Sequence, residues 1–178
     1  MSEQTKSLAQ IGLEILQASR NELYMNMPYL DVVLCGLAFQ SGEDVTLSLA
    51  TDGQILYYNG SFLAERYLRG RVLCNRAYFH VLLHCMLRHL HKKRGKNPLL
   101  WDLACDIAVE NVITELNLKC VTTSRERQQA QYIAAMKKEL KHVTAEKIYS
   151  YLRQSVPDER KIAEIRGLFY ADNHEIWY

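Results

Sequence analysis

Two histidines stand four residues apart inside an apolar run of this sequence, and this pair most constrains how the chain can fold. Residues 78–87 read YFHVLLHCML, a pattern that favours a helix. Residues four apart lie on the same face of an α-helix, with Cβ atoms about 6 Å apart, so the side chains of His80 and His84 can reach one ion. The pair therefore predicts either a metal site or two histidines packed in the core.

Three carboxylates at four-residue spacing occur in the next apolar segment, LLWDLACDIAVENVI. They are Asp102, Asp106 and Glu110. A buried carboxylate is costly unless it is paired or binds a metal, and zinc takes four ligands, of which a catalytic site draws three from protein. This segment is therefore a source of further ligands. The alternatives are that these acids cap a helix, face solvent, or pair with lysine and arginine.

Two other histidines follow on the same predicted helix, and neither is expected to bind the ion. His91 lies about 10 Å beyond His84 along the helix axis, and His89 points about 140° away from His84. The cluster of Lys and Arg that follows His91 complements the negative end of the helix dipole. We therefore interpret this basic stretch as helix-terminal rather than as a nucleic-acid patch.

Composition sets the class of protein. The 178 residues are 48% hydrophobic and 24% charged, which predicts a single soluble domain spanning residues 1–178. The net charge of +2 is too small by itself to argue for nucleic acid or an anionic membrane, and we expect neither as a partner. Five cysteines without a CxxC pair, no charged-then-apolar leader, and no run of 18 apolar residues predict a cytoplasmic chain with reduced thiols.

The pattern of apolar residues predicts a mostly helical α+β fold with one small sheet. Asp52-Gly53 separates two alternating runs, 45–50 and 54–58, and predicts a β-hairpin with a type I′ turn. Residues 121–142 are polar and predict a solvated helix or a mobile loop. The helices are predicted over 5–25, 29–39, 76–93, 99–118 and 147–154, the last with Thr144 as N-cap and with 157–159 as its end.

The order of these segments resembles a known family. The run ATDGQILYYNGSFL, the stretch from HVLLH to AVENVI, TAEKIYSYL and the tail DNHEIW resemble the zincin-like metallopeptidase domain that precedes a von Willebrand factor A-like domain in bacterial proteins. The resemblance implies that the hairpin sheet packs on the metal-binding helices. It also implies Zn²⁺ as cofactor, with His80, His84 and Asp106 as ligands and His174 as a further ligand or a residue that closes over the site.

The same resemblance implies partners. The family occurs beside AAA+ ATPases of the MoxR type, so we expect such an ATPase, a von Willebrand factor A-like domain, and a peptide or protein ligand as partners. No von Willebrand-type domain follows Tyr178 in this sequence. The chain is therefore expected to be either a naturally short member or part of a longer protein.

Two residues depart from the family pattern at positions that matter for chemistry. Val81 stands where HExxH has the glutamate that acts as general base, a contribution typically worth about 10²–10⁴-fold in rate. Glu110 stands where the family has asparagine. Three functions remain open: a metal-binding pseudo-peptidase that acts as an interaction module, an active zinc-dependent hydrolase with an unconventional base, and a metal-free helical adaptor.

Overall fold

A computed structural model describes residues 6–155 and 158–178 of the chain. Within these residues the protein has eight α-helices and one three-stranded sheet, which confirms the predicted α+β class. The chain divides into two compact units. The first contains the residues up to Leu82 together with the tail Asp172–Tyr178, and the second contains Leu83–Ala171.

Two long helices pack against each other in the first unit. Helix α1 (Leu8–Asn26) begins with a capping box in which the Ser7 side chain accepts from the backbone N–H of Gln10. The start predicted at residue 5 lies outside the described residues, and the predicted end at 25 agrees within one residue. Helix α3 (Gly60–Arg69) packs on α1 and was not predicted from the sequence.

The sheet of the first unit contains the predicted hairpin and one additional strand. Strands β2 (Leu49–Thr51) and β3 (Ile55–Tyr58) pair antiparallel, as the alternating pattern indicated, but residues 45–48 of the predicted first run are not part of the strand. The prediction of a type I′ turn is wrong, because such a turn needs positive φ at both central residues and only Gly53 has it here, at 95°. Instead the carboxylate of Asp52 accepts from the backbone N–H groups of Gln54 and Ile55, which closes a three-residue loop.

The segment 29–39 is not one helix, and this prediction is wrong. A single 3₁₀ turn (Pro28–Leu30) leads into the short helix α2 (Asp31–Leu34), and the chain then enters strand β1 (Ala38–Ser41). Strand β1 pairs in parallel with β3, so the order in the sheet is β1-β3-β2. A short apolar run has no decisive period, and here pairing with β3 determined its conformation.

Helix α4 carries the two histidines, and its bounds differ from the prediction. It runs from Arg71 to Met86 rather than from 76 to 93. Arg88 then adopts a left-handed conformation with φ 58° and ψ 36°, and a 3₁₀ turn follows over His89–His91. A left-handed residue ends an α-helix, so the direction that continuous helical geometry predicts for His89 does not apply.

The second unit consists of helices. Helix α5 (Pro98–Leu116) agrees with the prediction of 99–118 within two residues, and its N-cap is Asn97, whose side chain accepts from the backbone N–H of Leu100. Residues 126–137 form helix α6, which buries Ile133 and Met136, so this polar segment is helical. Helices α7 (Ala145–Ser155) and α8 (Glu159–Phe169) complete the unit. Of the predicted end at 157–159, Pro157 lies outside the described residues, whereas Asp158 caps helix α8 and Glu159 begins it.

No helix in the described part of the chain is both long enough and apolar enough to span a membrane.

Candidate metal centre

Helix α4 places the imidazoles of His80 and His84 on one face, as their spacing predicts. Both side chains are fully buried, and their neighbours Phe79 and Val81 are buried with them. A helix that is apolar on all sides belongs in the interior of a protein. The apolar residues around the pair therefore place both imidazoles in the interior, where their ring nitrogens need polar partners.

The partner of His80 is an aspartate from the C-terminal tail. The Nε2 atom of His80 lies 3.4 Å from Oδ1 of Asp172. Backbone pairing holds this tail in place, because the N–H of Asn173 donates to the carbonyl of Leu49 on the neighbouring strand β2. The indole N–H of Trp177 donates to the carbonyl of Thr51 on the same strand.

The partner of His84 is an aspartate from helix α5. Its Nε2 atom lies 3.4 Å from Oδ1 of Asp106, the middle residue of the three predicted carboxylates. Its other ring nitrogen, Nδ1, lies 3.0 Å from Nδ1 of His89. Both histidines of α4 therefore direct Nε2 toward a buried carboxylate.

These four side chains form one group. Each of His80, His84, Asp106 and Asp172 offers one ligand atom, and the four atoms all lie within 4.8 Å of one another. The imidazoles are 0% exposed and the carboxylates 2%. Two carboxylates this close together repel each other, and burial removes the water that would screen them. A divalent cation at this point would neutralise both.

The donor set fits such a cation. Bonds of about 2.0–2.2 Å from zinc to nitrogen and oxygen in a tetrahedral arrangement place neighbouring donor atoms roughly 3.3–3.5 Å apart. The two imidazole–carboxylate distances of 3.4 Å match this spacing. Imidazole and carboxylate are donors that zinc and related divalent ions accept.

The structure brings together three of the four predicted ligands. His80, His84 and Asp106 belong to the group of four, and His174 does not. Nε2 of His174 lies 3.0 Å from Oδ1 of Asp172, and its ring stacks on Trp177 with centroids 3.8 Å apart. His174 thus contacts a member of the group, and its role as a ligand stays a prediction.

Sequence reasoning missed Asp172. The signal was present in the tail motif DNHEIW, where an aspartate stands two residues before the histidine. Spacing along one helix could not select it, because Asp172 comes from a segment 88 positions after His84. The pairing of the tail with β2 brings it into place.

The remaining candidates lie elsewhere. Asp102 is half-buried on α5, Glu110 is buried, and His91 is exposed; none of them belongs to the group of four.

Cys105 precedes Asp106 and is also buried. Burial, followed by the nearby carboxylates of Asp106 and Asp102, raises the pKa of its thiol well above the ordinary value. Cys105 does not belong to the group of four.

A mostly helical α+β chain that buries two imidazoles and two carboxylates around one point is a candidate metal-binding protein. The family comparison agrees: the chain belongs to the family described as "putative metallopeptidase domain", whose model matches residues 14–167. Searches of curated proteins and of solved structures found no significant match.

Proposed function

We propose that this protein is a metal-binding metallopeptidase-type domain that holds one zinc ion through His80, His84, Asp106 and Asp172. The observation that carries the proposal is the buried group of four donor atoms within 4.8 Å. When bound, the ion supplies positive charge and Lewis acidity to this pocket. His174 either binds the ion as a further ligand or orients the carboxylate of Asp172 by a hydrogen bond without binding the ion.

We further propose that hydrolysis is weak or absent. Val81 is an alkyl side chain and can neither accept nor donate a proton, whereas the glutamate of HExxH does both. The number of donors supports the same conclusion. A catalytic zinc site uses three protein ligands and keeps one position open, while structural sites use four. This chain offers four donors of its own.

A domain that keeps its ligands and lacks its base serves as an interaction module. We propose a MoxR-type AAA+ ATPase, or a von Willebrand factor A-like domain that works with it, as the partner in the cytoplasm. Exposed apolar side chains support a protein-binding role: Met25, Tyr29 and Val32 are each more than 70% exposed around the end of α1 and α2. Gel filtration of the chain mixed with such an ATPase tests this; separate elution of Zn²⁺-loaded protein would contradict it.

The test of the proposed site is zinc content followed by peptide cleavage. After loading and gel filtration, we expect about one equivalent of zinc per chain, because buried four-donor sites bind zinc tightly. Exchange of His80 for alanine should abolish retention, and exchange of the exposed His91 should not. Less than about a tenth of an equivalent in the wild type would favour the metal-free adaptor instead.

Peptide cleavage separates the two metal-binding alternatives. The zinc-loaded wild type should leave an unstructured substrate such as casein intact, as judged by mass spectrometry, and should match His80→Ala protein. Glu110, buried one helical turn beyond Asp106 on α5, is the candidate for a replacement base. Cleavage that is lost in Glu110→Gln but kept in Val81→Ala would show an active hydrolase with an unconventional base.

A further inference from the structure

His84 has a second buried contact that the proposed metal site does not use. Its Nδ1 atom lies 3.0 Å from Nδ1 of His89, and the two rings meet edge to face with centroids 5.2 Å apart. His89 is itself buried. Two ring nitrogens at this distance share a hydrogen bond, in which one ring donates and the other accepts.

The chain builds this contact by ending α4 early. After Met86 the chain passes through the left-handed Arg88, and His89 begins a 3₁₀ turn. Trp101 of α5 then secures the turn, because its indole N–H donates to the carbonyl of His89 at 3.3 Å. The Trp101 ring also meets the His89 ring edge-on, with centroids 6.1 Å apart. The position of His89 is therefore determined by several contacts.

The hydrogen bond determines which nitrogen of His84 is available to a metal. Nε2 faces Asp106, while Nδ1 is engaged by His89. A neutral imidazole that binds a metal through Nε2 carries its proton on Nδ1 and must place that proton on an acceptor. Nδ1 of His89 is that acceptor, and His89 then carries its own proton on Nε2.

We infer that His89 is a positioning residue for the metal-binding imidazole of His84: by accepting its Nδ1 proton, it holds the ring in the tautomer and orientation that direct Nε2 toward the ion. The inference rests on the proposed zinc site. It goes beyond that proposal in assigning a role to a histidine outside the group of four.

The test compares zinc affinity in three variants by competition with a chromogenic chelator. His89→Phe keeps an aromatic ring beside Trp101 but removes the acceptor, and we expect its affinity to fall by about 10–100-fold, as is typical for outer-shell partners of metal ligands. His89→Asn offers an amide oxygen at the position of Nδ1 and should recover most of the loss. His91→Phe, the same exchange at an exposed position of the same turn, should bind like wild type.

Nitrogen-15 NMR of the zinc-loaded wild type provides the second measurement. Nδ1 of His84 should carry the proton and Nε2 should bind the metal, a signature that a purely structural contact would not require. Equal affinity of wild type and His89→Phe, or a metal on Nδ1 of His84, would overturn the inference. If His89→Phe does not fold, His89→Asn and the tautomer still decide it. A wild type that retains no zinc would instead overturn the proposed function itself.

Discussion

Asp102 and Asp106 stand one helical turn apart on α5, and their different positions give a sharp test of the site. Only Asp106 belongs to the buried group of four, whereas Asp102 is half-buried outside it. We expect Asp106→Asn to weaken zinc binding by more than about 100-fold, since changes to outer-shell partners alone typically cost 10–100-fold.

Asp102→Asn is the matched control for this exchange, with the same chemistry on the same helix. It should bind zinc like wild type in a chelator competition assay. Equal losses in the two variants would mean that the charge of α5 matters in general and that Asp106 has no special role.

The pairing of His80 with His84 was predictable at this scale because its signal is local, whereas the family resemblance singled out Asp106 from the three carboxylates of α5. A four-residue spacing on one helix places His80 and His84 together whatever the rest of the chain does. Asp172 and His89 were not predictable in the same way. Asp172 depends on the pairing of a distant tail, and His89 depends on a left-handed residue at Arg88, which is uncommon for a non-glycine residue.

Among the elements, helices α1 and α3 approach so closely that one glycine becomes essential. A Cβ atom added at Gly60 would lie 2.3 Å from the carbonyl oxygen of Leu8. Because that atom belongs to the backbone, the helices must move apart. We expect Gly60→Ala to lower the free energy of unfolding by about 1–3 kcal/mol, the usual range for overpacking.

Gly167 in helix α8 offers the opposite case, because a Cβ added there meets nothing within 4 Å. Gly167→Ala should raise the free energy of unfolding by about 0.5–1 kcal/mol, since alanine loses less conformational entropy in a helix. Urea unfolding of both variants checks the pair. An unchanged free energy of unfolding in Gly60→Ala would contradict the described packing of α1 on α3.

The Asp52 carboxylate in the hairpin loop should make the stability of the protein depend on pH. Burial alone would raise the pKa of Asp52, but its hydrogen bonds from the N–H groups of Ile55 and Gln54 outweigh this, and the pKa lies below its ordinary value of 3.8. A lowered folded-state pKa means that the ionised carboxylate stabilises the fold above pH 3.8. That stabilisation disappears as pH falls through the folded-state pKa.

Asp52→Asn isolates this effect, because its amide oxygen can accept the same N–H groups without a charge. We expect wild type to exceed Asp52→Asn in unfolding free energy at pH 6, and the difference to shrink toward pH 3. Urea unfolding of both proteins at the two pH values measures it. A difference that does not change with pH would contradict the role of the charge.

The elements also show where sequence patterns are sufficient. Helix α5 was predicted closely because its apolar run is long; in the structure Asn97 caps its start and the left-handed Asn117 follows its end. Segment 29–39 was misassigned because it is short and apolar throughout. Strand β1 forms there through its pairing with β3, which is a tertiary contact.

For the whole molecule, the family match and the buried group point in the same direction. The family model covers residues 14–167, and His80, His84 and Asp106 lie inside it, while Asp172 lies just beyond its end. Membership makes a metal site expected, and the weak or absent hydrolysis that we propose rests on Val81 in place of the HExxH glutamate. The zinc affinity and the partner-binding surface are therefore the first properties to determine, before any search for substrates.

The most direct test of the metal site is anomalous X-ray scattering at the zinc edge from crystals of the zinc-loaded protein. The account predicts one strong peak within bonding distance of Nε2 of His80, Nε2 of His84 and carboxylate oxygens of Asp106 and Asp172. A peak elsewhere, or imidazole and carboxylate groups in direct contact with no peak among them, would contradict it.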